Sequence, residues 1–114
     1  MWLNHFHVNV RDLKGAILWF EKVWGIKPVY ESDGMASFNQ AGFTFILDVA
    51  DNDALSTIGF NSDNCDLDFQ NVISKGATDI EKPSDKPWGV RVAYIKGPGK
   101  ITLEIEQLLL NSST

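Results

Sequence analysis

Two polar strand faces carry the side chains of this chain that are best suited to chemistry. In the first predicted strand, apolar and polar residues alternate, which places His5 and His7 together on the polar face. Residues 101–106 alternate in the same way, and Glu104 and Glu106 share the face opposite the apolar one. Imidazoles and carboxylates are the usual groups for moving protons. Whether these faces meet solvent or line a cleft therefore decides what the protein does.

Length and composition limit the classes of function. A chain of 114 residues, 44% hydrophobic and 22% charged, is typical of a single soluble domain. Its apolar runs are far shorter than a membrane span, and its start lacks the features of a signal peptide. The lone Cys65 fits a reducing compartment, so we expect a cytoplasmic protein. The net charge of −5, with no basic patch, argues against nucleic-acid binding.

The first half of the chain predicts a strand, a helix and three further strands. The first strand covers residues 3–10, and Asp12 is placed to cap the helix that Gly25 ends. Residues 27–31 and 35–40 predict a hairpin, and residues 43–49 predict a fourth strand. The helix is expected to bury one stripe of apolar side chains, namely Leu13, Ala16, Ile17, Phe20 and Trp24.

The second half repeats this order of elements. A strand over residues 56–61 precedes a helix capped by Asp63 or Asn64 and ended by Gly76. A short segment at 77–81 leads towards a strand, and a final hairpin turns at Gly97-Pro98-Gly99. The predicted fold is therefore α+β, with two tandem βαβββ modules at residues 3–50 and 54–107 and a C-terminal tail at 108–114, all in one domain.

Several motifs, in this order and spacing, resemble the vicinal oxygen chelate superfamily, which includes glyoxalase I, extradiol dioxygenases and bleomycin resistance proteins. The resemblance covers nearly the whole chain. It implies that each module forms a curved mixed sheet, that the sheets surround a cleft with the helices outside, and that the protein is a homodimer. The segments that carry it are His5-Phe-His-Val-Asn-Val-Arg-Asp-Leu13, Trp19-Phe20 with Trp24-Gly25-Ile26, Pro87-Trp88-Gly89, Gly97-Pro98-Gly99 and Leu103-Glu104.

The resemblance also implies candidate metal ligands. Metal-using members take them from the first and last strands of the paired modules, which here correspond to His5 and Glu104, and the fourth-strand position falls near Asp48. The fifth-strand position falls at Thr57 or its neighbours, and residues 54–62 contain no His, Cys, Asp or Glu. His7 could substitute or assist. In the alternative interpretation, His5 simply bonds a neighbouring carboxylate such as Glu104.

An aromatic wall is the second candidate site. Bleomycin resistance proteins, which lack the metal ligands, carry a Pro-Trp-Gly segment similar to the one around Trp88, and Tyr94 follows on the next strand. Aromatic walls stack flat ligands and attract cations. Trp88 could equally lie in the core or in a dimer interface. Arg91 could contact an anion, or could lie on the surface as most arginines do.

Two functional hypotheses follow. The first is a metal-free homodimer that holds an aromatic or cationic organic molecule, with His5, His7, Trp88, Arg91, Tyr94 and Glu104 as ligand-binding residues. The second is a lyase, isomerase or dioxygenase that uses Zn, Ni, Mn or Fe at His5, Glu104 and Asp48 on a chelating oxygen substrate. In the second hypothesis Glu104 is the catalytic candidate.

Overall fold

The computed structural model describes residues 1–40, 42–98 and 100–109. Within these residues the chain forms eight strands, two α-helices and one π-helical segment, so the predicted α+β class is confirmed. The strands are β1 (Trp2–Val10), β2 (Tyr30–Glu31), β3 (Met35–Gln40), β4 (Phe43–Val49), β5 (Ala54–Asn61), β6 (Asp79–Lys86), β7 (Val90–Lys96) and β8 (Thr102–Leu108); the helices are α1 (Leu13–Trp19) and α2 (Cys65–Ser74), and the π-helical segment is Phe20–Trp24.

The chain separates into two compact units, and the order of elements is βαβββ in both halves, as predicted. The first half is the unit His5–Ser56. The second half is the chain from Thr57 onward together with Met1–Asn4. The first four residues thus belong to the compact unit that lies later in the sequence.

The first half is a four-stranded mixed sheet with α1 on one face. Its strands lie in the order β2-β3-β4-β1, and β1 runs parallel to β4. The Asp12 side chain accepts a hydrogen bond from the backbone N–H of Gly15, which caps α1 as predicted. Helix α1 contacts β3 and β4. The buried core between them consists of Leu13, Ile17, Ala36, Phe38 and Leu47.

The end of the first helix differs from the prediction. Trp24 was expected on the buried stripe, but its side chain is 66% exposed. The reason is the π-helical segment after α1, because its wider turn rotates the residues that follow away from the α-helical stripe. Gly25 then ends the segment in the left-handed conformation, with φ of 69°, as the sequence indicated.

The second half is also a four-stranded mixed sheet with its helix on one face. The strands lie in the order β5-β8-β7-β6, and β5 runs parallel to β8. Asn64 is the residue that caps α2, through a hydrogen bond from the backbone N–H of Leu67 to its side-chain oxygen. Helix α2 contacts β6, β7 and β8. The buried core here consists of Cys65, Ala93, Ile95 and Ile105.

Strand β6 is longer than the predicted segment and contains Pro83. It lies at the edge of the sheet, where a missing N–H is tolerated, and its pairing with β7 shifts register twice. In the last hairpin, the Gly97 backbone N–H donates to the Ile101 carbonyl at 2.8 Å, whereas the predicted turn residue Gly99 lies outside the described residues. Neither helix of the described chain is long and apolar enough to cross a membrane.

Candidate functional site

The polar face of β1 brings two histidines together in the first half. Val8 and Val10 pack against the apolar core, so His5 and His7 lie on the opposite face of the strand. Their ring centroids are 5.0 Å apart in an edge-to-face arrangement. His5 is buried, with 6% exposure, and His7 is partly buried. A pair of imidazoles is thus held on a face that the helix does not cover.

Asp48 orients one of these rings. His7 Nδ1 lies 2.8 Å from Asp48 Oδ2. Because an ionised carboxylate only accepts hydrogen bonds, Nδ1 carries the proton, and the lone pair of the neutral ring is on Nε2. The parallel pairing of β1 with β4 sets Asn9 beside Asp48, so the aspartate reaches His7 diagonally. The predicted fourth-strand site residue therefore contacts a histidine side chain.

In the second half, the corresponding polar face contains Glu104. Leu103 and Ile105 belong to the helix-covered side of β8, so Glu104 points to the other side, where it is buried at 7% exposure. Tyr94 on β7 pairs directly with Glu104, and Gly59 pairs with it from β5. The two predicted site residues Tyr94 and Glu104 are therefore neighbours on one face.

The environment of Tyr94 keeps its phenol protonated. Burial, together with the negative charges of Glu104, Glu81 and Glu106, raises the pKa of Tyr94 to about 12. The Lys86 ammonium lies 5.9 Å from the centre of the tyrosine ring and 2.6 Å from a Glu81 carboxylate oxygen. This ion pair lowers the pKa of Glu81. At neutral pH the phenol can therefore act as a hydrogen-bond donor.

Two predicted site residues lie elsewhere in the second half. The Trp88 side chain is 67% exposed in the turn between β6 and β7. Arg91 lies on the same face of β7 as the core residue Ala93, which is the face that α2 covers. Its guanidinium donates hydrogen bonds to both carboxylate oxygens of Asp66, at 2.7 and 3.0 Å, and to Asp85 at 2.9 Å. Arg91 therefore anchors the start of α2 to the sheet, on the side opposite Tyr94.

A cavity of about 630 Å³ in the second half was not predicted. It opens at the end of β5 and β8, where Asn61 pairs with Glu106. The alternation of β8 does place Glu106 on the same face as Glu104, so one lining residue could be found from the sequence. Trp2 is far away in the sequence, and nothing in the sequence assigned it to this cavity. The lining includes Trp2, Asn61, Asp63, Glu106, Leu108 and Leu109.

Comparison with solved structures places the chain among proteins of the same fold. A hypothetical protein of Bacillus halodurans C-125 matches with a TM-score of 0.78 and 14% identity, covering 98% of this chain and 97% of the other. Methylmalonyl-CoA epimerase from Mycobacterium tuberculosis matches with a TM-score of 0.73 and 16% identity, over 96% of this chain and 89% of the epimerase.

A third structure contains a metal ion. The Mn(II)-bound glyoxalase from Novosphingobium aromaticivorans matches with a TM-score of 0.78 and 21% identity, over 93% of this chain and 38% of the glyoxalase. The chain thus corresponds to little more than a third of that protein's length. At these identities the matches establish the fold.

A family model gives the classification. No curated protein matches the chain significantly. The model of the Glyoxalase/Bleomycin resistance protein/Dioxygenase superfamily matches residues 2–105, which is nearly all of the sequence. The chain therefore belongs to the Glyoxalase/Bleomycin resistance protein/Dioxygenase superfamily.

Proposed function

We propose that this protein is a divalent-metal enzyme that acts on a small organic substrate with two neighbouring oxygen atoms. His5 and His7, which share the polar face of β1, would be ligands of the ion, and the family resemblance assigns a further ligand to Glu104. Two imidazoles and one carboxylate form a donor set that suits Zn, Ni, Mn or Fe. The Mn(II)-bound glyoxalase among the structures of the same fold supports the choice of a divalent ion.

The contact between His7 and Asp48 is the observation that carries this proposal. Histidines that bind metals usually donate their second ring N–H to a carboxylate or carbonyl, which fixes the tautomer and orients the free nitrogen. His7 makes this contact through Nδ1. In this proposal His7 is the metal ligand and Asp48, which the family resemblance had suggested as a ligand, holds the His7 ring in place.

The reaction class is that of a lyase or isomerase that moves a proton. A bound divalent ion would supply positive charge that polarises the chelating oxygens of the substrate. Glu104 is the carboxylate that takes up a proton from the substrate carbon next to the polarised oxygens and then returns it to the substrate. Tyr94 pairs with Glu104 from β7, and its pKa of about 12 keeps the phenol protonated at neutral pH. The phenol donates a hydrogen bond to a substrate oxygen.

Metal content of purified protein tests the proposal. Elemental analysis after incubation with divalent ions and removal of the excess should give about one ion per chain. His5→Ala and Glu104→Ala should each lose most of it. Asn9→Ala is the control, because Asn9 shares the polar face of β1 and is not a proposed ligand. Equal metal content in all four proteins would contradict the proposal.

A metal-free binding protein is the second candidate. The strand β5 position that should supply a ligand carries Thr57, and no His, Cys, Asp or Glu occurs in residues 54–62. This absence favours a protein that holds an aromatic or cationic organic molecule, as bleomycin resistance proteins do. No retained metal, combined with a rise in melting temperature on adding such molecules, would select this function.

The assembly and location are also proposals. Family resemblance suggests a homodimer. The negative charge without a basic patch and the short apolar runs argue against nucleic-acid and membrane partners, and the lone Cys65 suggests the cytoplasm. Sedimentation velocity would test the dimer. A mass of one chain across a wide concentration range would contradict it.

A further inference from the structure

A second cavity of the second half lies on the helix side of its sheet, apart from the cavity that Trp2 lines. Its volume of about 500 Å³ is in the range of small-molecule sites. It is found between the end of α2 and the turn that joins β7 to β8. The residues that line it include Phe60, Val72, Ala77, Ile95, Leu103 and Ile105.

The side chains around this space are smaller than those that fill the helix-side core of the first half. In the first half, the rings of Phe20, Phe38 and Phe45 pack on one another with centroids between 4.8 and 5.4 Å apart. The buried core described for the second half contains no ring, and Val72 and Leu103 pack against it while remaining partly buried. Both of these residues line the cavity. Its walls are therefore mainly aliphatic.

The interior of the cavity suits only an apolar group. Lys96 is the one residue with a polar side chain among the described residues of the lining. The backbone N–H groups of Lys96 and Gly97 already donate to the carbonyls of Thr78 and Ile101, at 2.9 and 2.8 Å. A hydroxyl or amide placed inside would lose its hydrogen bonds to water without replacement. The part of a ligand that enters is therefore a hydrocarbon chain.

The charge at the cavity is positive. Lys96 is the last residue of β7 and is exposed. Its ammonium makes no ion pair with the part of the chain that the structure describes. The stem of a lysine can lie along apolar surface while its ammonium stays in water. A ligand with its chain inside the cavity can thus place one negative head group beside Lys96.

We propose that this cavity binds a free aliphatic carboxylate, with the chain against Leu103 and Ile105 and the carboxylate at Lys96. Leu103 and Ile105 flank Glu104 on β8 and face the other side of the sheet. The ligand therefore lies behind Glu104 and leaves the polar face open. This proposal does not rest on the proposed function.

Three probes separate the chain from the charge. Decanoate has an aliphatic chain and a negative head, decylammonium has the same chain length and a positive head, and acetate is the negative head with almost no chain. Binding to protein freed of metal with EDTA is measured by titration calorimetry at low ionic strength. We expect decanoate to bind, decylammonium to bind more weakly and acetate not to bind measurably.

Methyl NMR signals locate the bound molecule. Decanoate should shift the methyl signals of Val72 and Leu103, which line the cavity. The methyl signals of Leu47, in the buried core of the first half, should stay where they are. Unmoved signals of Val72 and Leu103 on saturation with decanoate would contradict the assignment.

Matched variants test the charge. Lys96→Gln should weaken decanoate roughly threefold to fivefold, a modest loss because the ammonium is exposed and screened by water. It should not weaken decylammonium. Lys82→Gln is the control, because Lys82 is an exposed lysine of β6 that does not line the cavity.

A cavity-filling variant tests the space. Ala77→Leu adds three carbons to a residue of the lining and should abolish binding of decanoate without lowering the melting temperature. If this variant does not fold, the surface variant Lys96→Gln decides the question by itself.

An unchanged affinity for decanoate in Lys96→Gln, an equal effect of Lys82→Gln, or binding of decylammonium as tight as that of decanoate would overturn the proposal. So would parental affinity in a folded Ala77→Leu. Because the protein is free of metal in these experiments, retention of metal without binding of decanoate would leave the proposed function and remove the cavity proposal. Binding of decanoate without retention of metal would do the reverse.

Discussion

His7 donates a hydrogen bond from Nδ1 to Oδ2 of Asp48, over 2.8 Å, across the parallel strands β1 and β4. This contact joins two residues that are 41 positions apart, and it determines which ring nitrogen of His7 can bind another group. The proposed metal site depends on that orientation, because it leaves Nε2 of His7 as the nitrogen that can bind an ion.

Replacement of Asp48 should release the ring of His7. In Asp48→Ala we expect the affinity for a divalent ion to fall 10- to 100-fold, roughly the loss typical of removing a carboxylate behind a metal-bound histidine. Calorimetric titration with Zn or Mn measures this change. Asp51→Ala, in the exposed connection after β4, is the control and should bind as the parent does.

The same variant has a readout that needs no metal. Nitrogen-15 NMR of the metal-free parent should show the neutral His7 ring with its proton on Nδ1, and Asp48→Ala should shift the population towards protonation at Nε2. An unchanged tautomer would show that Asp48 does not orient the ring. Asp48→Asn would keep a side-chain oxygen that can accept the same hydrogen bond, so the alanine variant is the one that decides the question.

Tyr94 should titrate at unusually high pH. Its pKa is raised to about 12 by burial and by Glu104, Glu81 and Glu106. An unfolded tyrosine loses its proton near pH 10, so between about pH 10 and 12 the unfolded state binds fewer protons than the folded state. The free energy of unfolding should therefore fall as the pH rises through this range.

Urea unfolding at several pH values measures this fall, and Tyr94→Phe should reduce it. Glu81→Gln removes one of the three negative charges and should lower the pKa of Tyr94, which the absorbance of the phenolate reports. A Tyr94 pKa that is the same in Glu81→Gln and the parent would contradict the electrostatic part of this explanation.

Two aromatic residues of the first half should differ strongly in their contribution to stability. Phe38 is 1% exposed and stacks on Phe45 with ring centroids 4.8 Å apart. Phe38→Ala should cost about 3–5 kcal/mol of unfolding free energy. Trp24→Ala, at an exposed position, should change it by less than about 0.5 kcal/mol. Denaturant unfolding of both variants checks the prediction, and similar losses would place Trp24 in the core.

Cys65 should be unreactive while the protein is folded. It is fully buried, and burial together with the nearby Asp66 raises the pKa of its thiol to about 11. The thiolate is the reactive form, so labelling by a disulfide reagent at neutral pH should be limited by opening of the second half. Rapid labelling in the absence of denaturant would contradict this. Denaturant concentrations that unfold the protein should accelerate labelling sharply.

The fold could be predicted because its signals are local. The caps Asp12 and Asn64, the helix ends at Gly25 and Gly76 and the alternation in β4 each lie within a few residues of the structure that they specify. The position of Trp24 could not be predicted in this way. Trp24 lies in the π-helical turn Phe20–Trp24, and the prediction of a buried stripe assumed a regular α-helical period without such a turn.

The candidate site was only partly predictable. His5, His7 and Glu104 are on the polar strand faces that their alternation indicated. The partner of Asp48 depends on the register between β1 and β4, which alternation within one strand does not determine. Arg91 shows the same limit, because its pairing with Asp66 requires that α2 begin beside β7.

Met1–Asn4 belong to the compact unit of the second half, although the chain from His5 to Ser56 forms the other unit. A gene cut at the polar connection around residues 51–53 would therefore not yield two self-sufficient polypeptides. The downstream fragment would lack the indole of Trp2, and the upstream fragment would carry it without the cavity that it lines. A change in the NMR signal of the Trp2 indole on mixing such fragments would then report their reassociation.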